Sequence, residues 1–212
     1  MARRRDDERR AAIRQRDRRG MAAAVIGVLV LLACAAGYRS LLGPVPSVAV
    51  GGPFTLVDDQ GRTRHADSFH GRYMLVFFGY THCTDVCPQT LTEISEALDT
   101  VDPDAKRIQP LFVTIDPTHD TPARLRAYTA AFSPTLIGLT GTASQLGAVE
   151  RQFHVVVEPD PSNGRDGFDH SALIYLLGPD GRFIAPLPAA SDRTVLQAQL
   201  RRYVPMPAAG QG

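Results

Sequence analysis

Six apolar residues in a row, Tyr73-Met-Leu-Val-Phe-Phe78, run through Gly79 into Tyr80-Thr-His-Cys83-Thr-Asp-Val-Cys87-Pro88. No other stretch constrains the chain as strongly. A continuous apolar run of strand length belongs to a strand buried on both faces. Such strands lie in sheets covered by helices on two sides. Pro88 suits a first helical turn, and Leu91, Ile94, Leu98 and Val101 follow at helical spacing. Two thiols four residues apart therefore stand where a buried strand turns into a helix. Cys87, just ahead of Pro88, is expected at the helix N-cap. Free backbone N–H groups and the positive end of the helix dipole favour a thiolate there.

The remaining pattern extends this layout. Pro110-Leu-Phe-Val-Thr-Ile115 reads as a second buried strand, and Thr121-Pro122 opens a helix with Leu125, Tyr128 and Phe132 on its apolar face. Thr142 and Gln145 form a capping-box pattern ahead of Leu146, Val149 and Phe153. Ser171–Leu177 and Arg182–Ala185 flank the turn Gly178-Pro-Asp-Gly181 as a hairpin, and Asp192 caps a last helix bearing Val195, Leu196, Leu200 and Tyr203. The order strand–helix–strand–helix–helix–hairpin–helix implies an α/β fold with helices packed on a mixed sheet. A cysteine pair just after the first main strand is the thioredoxin-like layout.

Charge divides the 212-residue chain. Residues 1–20 hold nine arginines against four acids, a charge of +5, and the rest holds 14 Lys/Arg against 18 Asp/Glu. The acidic body lacks the basic footprint of a nucleic-acid binder. Met21 to Tyr38 is an 18-residue stretch with no charge, just long enough to span a bilayer. With the arginines ahead of it, the body is expected on the exported side. Leu31-Leu-Ala-Cys34 resembles a bacterial lipobox, so a lipoprotein signal ending at Cys34, or a cleaved signal, competes with a retained helix. The expected organisation is a cytoplasmic basic tail over 1–20, a membrane anchor over 21–39 and a linker over 40–52. A thioredoxin-like domain over 53–205 and a flexible tail over 206–212 follow.

The exported body then contains only Cys83 and Cys87, a dedicated pair rather than a disulfide scaffold. Their C-x3-C spacing differs from the C-x2-C of common disulfide oxidoreductases. His170 stands just before the strand Ser171–Leu177, and in this layout the loop ahead of that strand faces the cysteines. Two thiolates and one neutral imidazole suit Cu(I), and an added oxygen donor suits Cu(II). Asp169 reads either as a hydrogen-bond partner that orients that imidazole or as a solvated loop acid. His65, His70 and His119 read as surface or loop residues and His154 as structural. His82 is expected to point away from the sulfurs. Asp116 sits at the carboxyl end of a buried strand, where it can influence a metal or cap the next turn. A thiol–disulfide reductase using Cys83 and Cys87 as a redox pair remains an alternative, as does a copper-dependent sensor.

Gly79–Pro88, Phe112-Val-Thr-Ile-Asp-Pro-Thr-His-Asp-Thr-Pro122, and Asp169-His170 before Ile174–Gly181 together resemble the Sco/SenC family of copper-binding proteins. Gly52-Pro-Phe54 and Gly71-Arg-Tyr73 match the family's opening, so the resemblance covers about residues 50–203. It implies a membrane-tethered, thioredoxin-like domain binding one copper through Cys83, Cys87 and His170. It also implies a role in assembling the binuclear copper site of cytochrome c oxidase. The implied partners are the copper-site subunit of that oxidase, other copper chaperones or thiol reductants, and the membrane. Thr84 stands where the family often has proline, and His119 where it often has another residue. Glu158–Gly167 is an extended loop in a variable region.

Overall fold

The computed structural model describes residues 27–29, 31–34, 37–38, 49–159, 168–170, 173–189 and 192–205, with the side chains of Pro159, Asp169 and His170 outside that description. The chain divides into two compact units, 1–48 and 49–212. In the first unit the described residues are helical. Most of the expected anchor, all of the basic tail over 1–20 and the tail over 206–212 lie outside the described residues. Among the described residues no helix is long and apolar enough to cross a membrane.

The second unit is built on nine strands, four α-helices and one short 3-10 helix (Ala66–Phe69) among its described residues. The strands are β1 (Thr55–Asp58), β2 (Thr63–His65), β3 (Tyr73–Gly79), β4 (Ile108–Thr114), β5 (Ile137–Thr140), β6 (Val157–Pro159), β7 (Phe168–His170), β8 (Leu173–Leu177) and β9 (Phe183–Pro188). The helices are α1 (Val86–Val101), α2 (Pro122–Thr129), α3 (Ala143–Phe153) and α4 (Arg193–Tyr203). Seven strands form one mixed sheet in the order β2-β1-β5-β4-β3-β8-β9, and β6 pairs with β7 as a separate ribbon. β3 runs parallel to β4, with Gly79 opposite Thr114, and antiparallel to β8, with Phe77 opposite Ile174. The β3 carboxyl end and the β8 amino end therefore share one edge of the sheet.

Alternation along β3 explains why its sequence is apolar throughout. Leu75 and Phe77 point to one core, with Leu91 and Ile94 of α1, Leu125 of α2 and Leu196 and Leu200 of α4. Met74, Val76 and Phe78 point to the other, with Leu146, Val149 and Phe153 of α3. Both faces are buried, and each such Leu or Phe contributes about 1.5–3 kcal/mol.

Three features of the sheet are absent from the sequence reading. β5, between the second and third helices, is short, and Gly138 interrupts it. A Cβ there would stand 3.0 Å from the Leu125 Cβ, so glycine lets α2 pack close at the expense of a readable apolar run. The β1–β2 hairpin is mostly polar in sequence. Glu158 and Pro159, taken as the start of a loop, belong to β6, while residues 160–167 lie outside the described residues. The body also begins earlier than residue 53, because the Gly51 N–H donates to the Gln152 carbonyl at 2.8 Å. The expected capping box at Thr142 and Gln145 and the Asp192 cap are both present.

Candidate metal centre

The loop between β3 and α1 carries Cys83, the first turn of α1 carries Cys87, and Gly79, the last residue of β3, leads into both. A Cβ at Gly79 would lie 2.8 Å from the Cys87 Sγ and 2.9 Å from the Phe112 Cε2. Only a residue without a side chain lets the sulfur rest on the end of β3. The Cys83 N–H then donates to the Tyr80 carbonyl at 3.3 Å, closing a turn. The Cys87 N–H donates to the Cys83 Sγ at 3.4 Å, so the backbone of one cysteine faces the sulfur of the other. The two cysteines are not joined in a disulfide; Cys83 is half-buried and Cys87 fully buried.

Cys87 is not the N-cap. The helix starts at Val86 with Asp85 as cap, which puts Cys87 second and Pro88 third in the first turn. Nor does the helix end decide its ionisation. The hydrogen bond with Cys83, then burial, then the Cys83 charge push the Cys87 thiol far above the ordinary cysteine range. Burial, with smaller contributions from the two thiols, also raises the Tyr80 phenol. The same two causes raise the Tyr128 phenol. A thiol raised in this way keeps its proton at neutral pH, and any metal that bound Cys87 would have to displace it.

A buried carboxylate fixes the loop ahead of Cys83. Asp120, fully buried, accepts from the Thr81 N–H at 3.0 Å, the Thr81 hydroxyl at 2.5 Å and the Thr114 hydroxyl at 2.6 Å. Arg124 Nε donates to the Thr81 hydroxyl at 2.8 Å from outside. Tyr80 ties the loop to β7. Its hydroxyl donates to the Phe168 carbonyl at 3.3 Å and accepts from the Phe168 N–H at 3.2 Å. Phe168 is two residues before His170, whose backbone pairs with Val157 in the β6–β7 ribbon. The backbone of His170 thus runs in a strand anchored to the cysteine loop. The His170 side chain lies outside the described residues, as does that of Asp169.

Beside the thiols the structure assembles a group that the sequence reading left as separate residues. One donor atom each from His82, Asp116 and His119 falls within 4.8 Å of the others. His82 follows β3, and Asp116 and His119 follow β4. The parallel pairing of those two strands brings them to one sheet edge. The signal in the sequence was their common place just past adjacent buried strands. His154, by contrast, is structural as expected: it caps α3, with its Nε2 3.1 Å from the Ala49 carbonyl.

Comparison with known proteins places this architecture. A family model described as SCO1/SenC matches residues 44–205. The SCO2 homolog of Bos taurus mitochondria is 38% identical over 161 residues, covering 74% of this chain and 60% of the bovine protein. The SCO1 homolog of Homo sapiens is 38% identical over 142 residues, covering 64% of this chain and 46% of the human protein. This chain therefore spans roughly half the length of the relatives it matches. Among solved structures, Bradyrhizobium japonicum ScoI with copper bound is 41% identical with a TM-score of 0.67, covering 74% of this chain and all of that one. Yeast Sco1 with copper bound is 31% identical with a TM-score of 0.66, covering 77% of this chain and 96% of that one. The mixed sheet, the thiol junction at its edge and these matches have one reading: the chain belongs to the SCO1/SenC family.

Proposed function

We propose that this chain is a membrane-tethered copper metallochaperone. It binds one copper through Cys83, Cys87 and His170 and assists assembly of the binuclear copper site of cytochrome c oxidase. The observation that carries the reading is the meeting of two thiols, one on the β3–α1 loop and one in the first turn of α1, with the strand of His170, through the Tyr80–Phe168 hydrogen bonds. Copper-bound structures of family members support the choice of metal. The donor set fits that metal as well, since thiolate sulfur is soft and suits Cu(I). Copper is cargo here. Loading releases the thiol protons, and delivery needs a partner whose own sulfur or nitrogen donors displace Cys83, the more exposed of the two thiols. The uncharged segment 21–38 supplies the tether, with the body on the outer face of the membrane.

Anaerobic titration of the reduced full chain in detergent with Cu(I) tests the site. One tight copper per chain is expected. It should weaken in His170→Ala and fall by at least about a thousandfold, or about 4 kcal/mol, in Cys83→Ser/Cys87→Ser. Tight binding that survives the double substitution would overturn the ligand assignment. The oxidase role predicts that cells carrying the double variant lose oxidase activity when copper is scarce and regain part of it when copper is added. Normal activity in copper-starved cells would remove that role. In a thiol–disulfide reductase the half-buried Cys83 would attack and Cys87 would resolve. Failure to bind copper combined with rapid disulfide cycling would favour that enzyme instead.

A further inference from the structure

We infer that His82, Asp116 and His119 form a second metal site, one that takes a divalent first-row cation such as Cu(II) or Zn(II) independently of the thiols. Asp116 organises it. The residue is almost fully buried, and its two oxygens divide their work. Oδ1 accepts from the Thr118 N–H at 3.1 Å and the His119 N–H at 3.4 Å, which locks the carboxylate into the turn after β4. Oδ2 is left facing the imidazoles, 2.6 Å from His119 Nδ1 and 3.8 Å from His82 Nδ1. The two rings stand edge to face with centroids 5.2 Å apart, and the Tyr80 ring backs His82 at 4.6 Å. The His119 side chain is 43% exposed and that of His82 25%, so a cation reaches the group from solvent while the carboxylate stays fixed.

The chemistry differs from that of the thiol pair. Two imidazoles and one carboxylate are nitrogen and oxygen donors of intermediate hardness, suited to divalent copper, zinc or nickel. Bonds of about 2.0–2.2 Å place donor atoms of a tetrahedral site about 3.3 Å apart. The separations at Oδ2 bracket that figure, so small ring rotations complete the geometry. The His119–Asp116 hydrogen bond alone would account for one imidazole. It gives no reason for a second to converge on the same oxygen. His82 is also the residue before Cys83, which puts this donor set next to the proposed copper thiols along the chain.

The test removes the first site and asks whether metal still binds. The full chain carrying Cys83→Ser/Cys87→Ser/His170→Ala, in detergent, is titrated with Cu(II) and read by electron paramagnetic resonance. One bound Cu(II) with two-nitrogen hyperfine structure is expected. Adding His119→Ala or His82→Ala should remove one nitrogen. Affinity should then fall more than about tenfold, a loss already seen for partners one shell further out. No bound Cu(II), or a spectrum and affinity indifferent to both histidines, would overturn the site. Should the triple variant fail to fold, the wild-type chain preloaded with one Cu(I) serves. It should take up one further Zn(II), and His119→Ala alone should abolish that second equivalent. Failure of Cu(I) loading refutes the proposed function, whereas failure of the second equivalent refutes only this site.

Discussion

Asp58 and Cys87 are both fully buried ionisable side chains, one at the end of β1 and one in the first turn of α1, and their surroundings treat them in opposite ways. Asp58 ends β1 with four donors on its carboxylate. The Gln60 and Arg62 N–H groups reach it at 3.0 and 2.8 Å, Arg62 Nε at 2.9 Å and Arg64 Nε at 3.0 Å. Burial alone would raise its pKa, but these donors outweigh burial and hold the carboxyl below the ordinary range. Cys87 has the same burial but carbon and a second sulfur for company. Its hydrogen bond with Cys83, with burial and the Cys83 charge behind it, pushes the thiol up. Burial does not decide ionisation; the donors brought in with the group do. One end of the sheet is thus locked by a charge, and beside the other end stands a thiol held in its neutral form.

Removing the lock should have the largest effect on stability. Asp58→Ala strands the turn N–H groups of Gln60 and Arg62 and frees two arginines, a loss of about 2–3 kcal/mol. Urea unfolding at constant m-value measures it. The pH dependence has a definite sign. The folded carboxyl is held low, so its stabilisation is complete above the unfolded value and is lost as pH falls through the folded one. A loss below about 0.5 kcal/mol, the range of ordinary surface substitutions, would show that the hairpin tolerates an empty Asp58 position.

At the other end the equivalent probe is steric. Gly79→Ala forces a methyl into the 2.8 Å gap to the Cys87 sulfur, against the Phe112 ring. Overpacking of this kind costs about 1–3 kcal/mol. It should also weaken copper binding, because the sulfur has to move. Parallel urea and Cu(I) titrations separate the two effects. Lost stability with unchanged copper affinity would mean that the thiol position is not set by this contact.

The same contrast explains what the sequence made legible. β3, β4, β8 and the caps at Thr142 and Asp192 were readable because each is decided locally, by an unbroken apolar run or by one side chain on one N–H. β1, β2 and β5 were not. Gly138 is present for helix approach, and Asp58 reads as one more polar residue in a hydrophilic stretch. The thiol pair was visible as chemistry, yet the N-cap placement of Cys87 was two positions off because Val86 rather than Pro88 opens the helix. His82, Asp116 and His119 were each read singly. Their convergence depends on the parallel register of β3 and β4, which no local window contains.

The smallest effect sharpens the comparison most, because it is opposite in sign to that of Asp58. A thiol raised in the folded state keeps its proton while the unfolded chain, with an ordinary value near 9.0, gives it up. Stability of the copper-free, reduced protein is therefore intact below that value and falls as pH climbs past it. One unit higher the loss is about 1.4 kcal/mol. Anaerobic urea unfolding of wild type and Cys87→Ser, at about pH 8 and about pH 10, isolates it, since tyrosines and lysines common to both cancel in the difference. The wild type should lose stability relative to the variant at the higher pH, and equal losses would show that Cys87 ionises as readily folded as unfolded. At the proposed copper site the dependence should reverse. Loaded thiolates would hold no proton, so below the thiol range loading is expected to expel protons and copper affinity to rise with pH. The acid end of the sheet is expected to fail at low pH and the thiol end of the copper-free protein at high pH, and loading of the proposed site should remove the second failure while leaving the first in place.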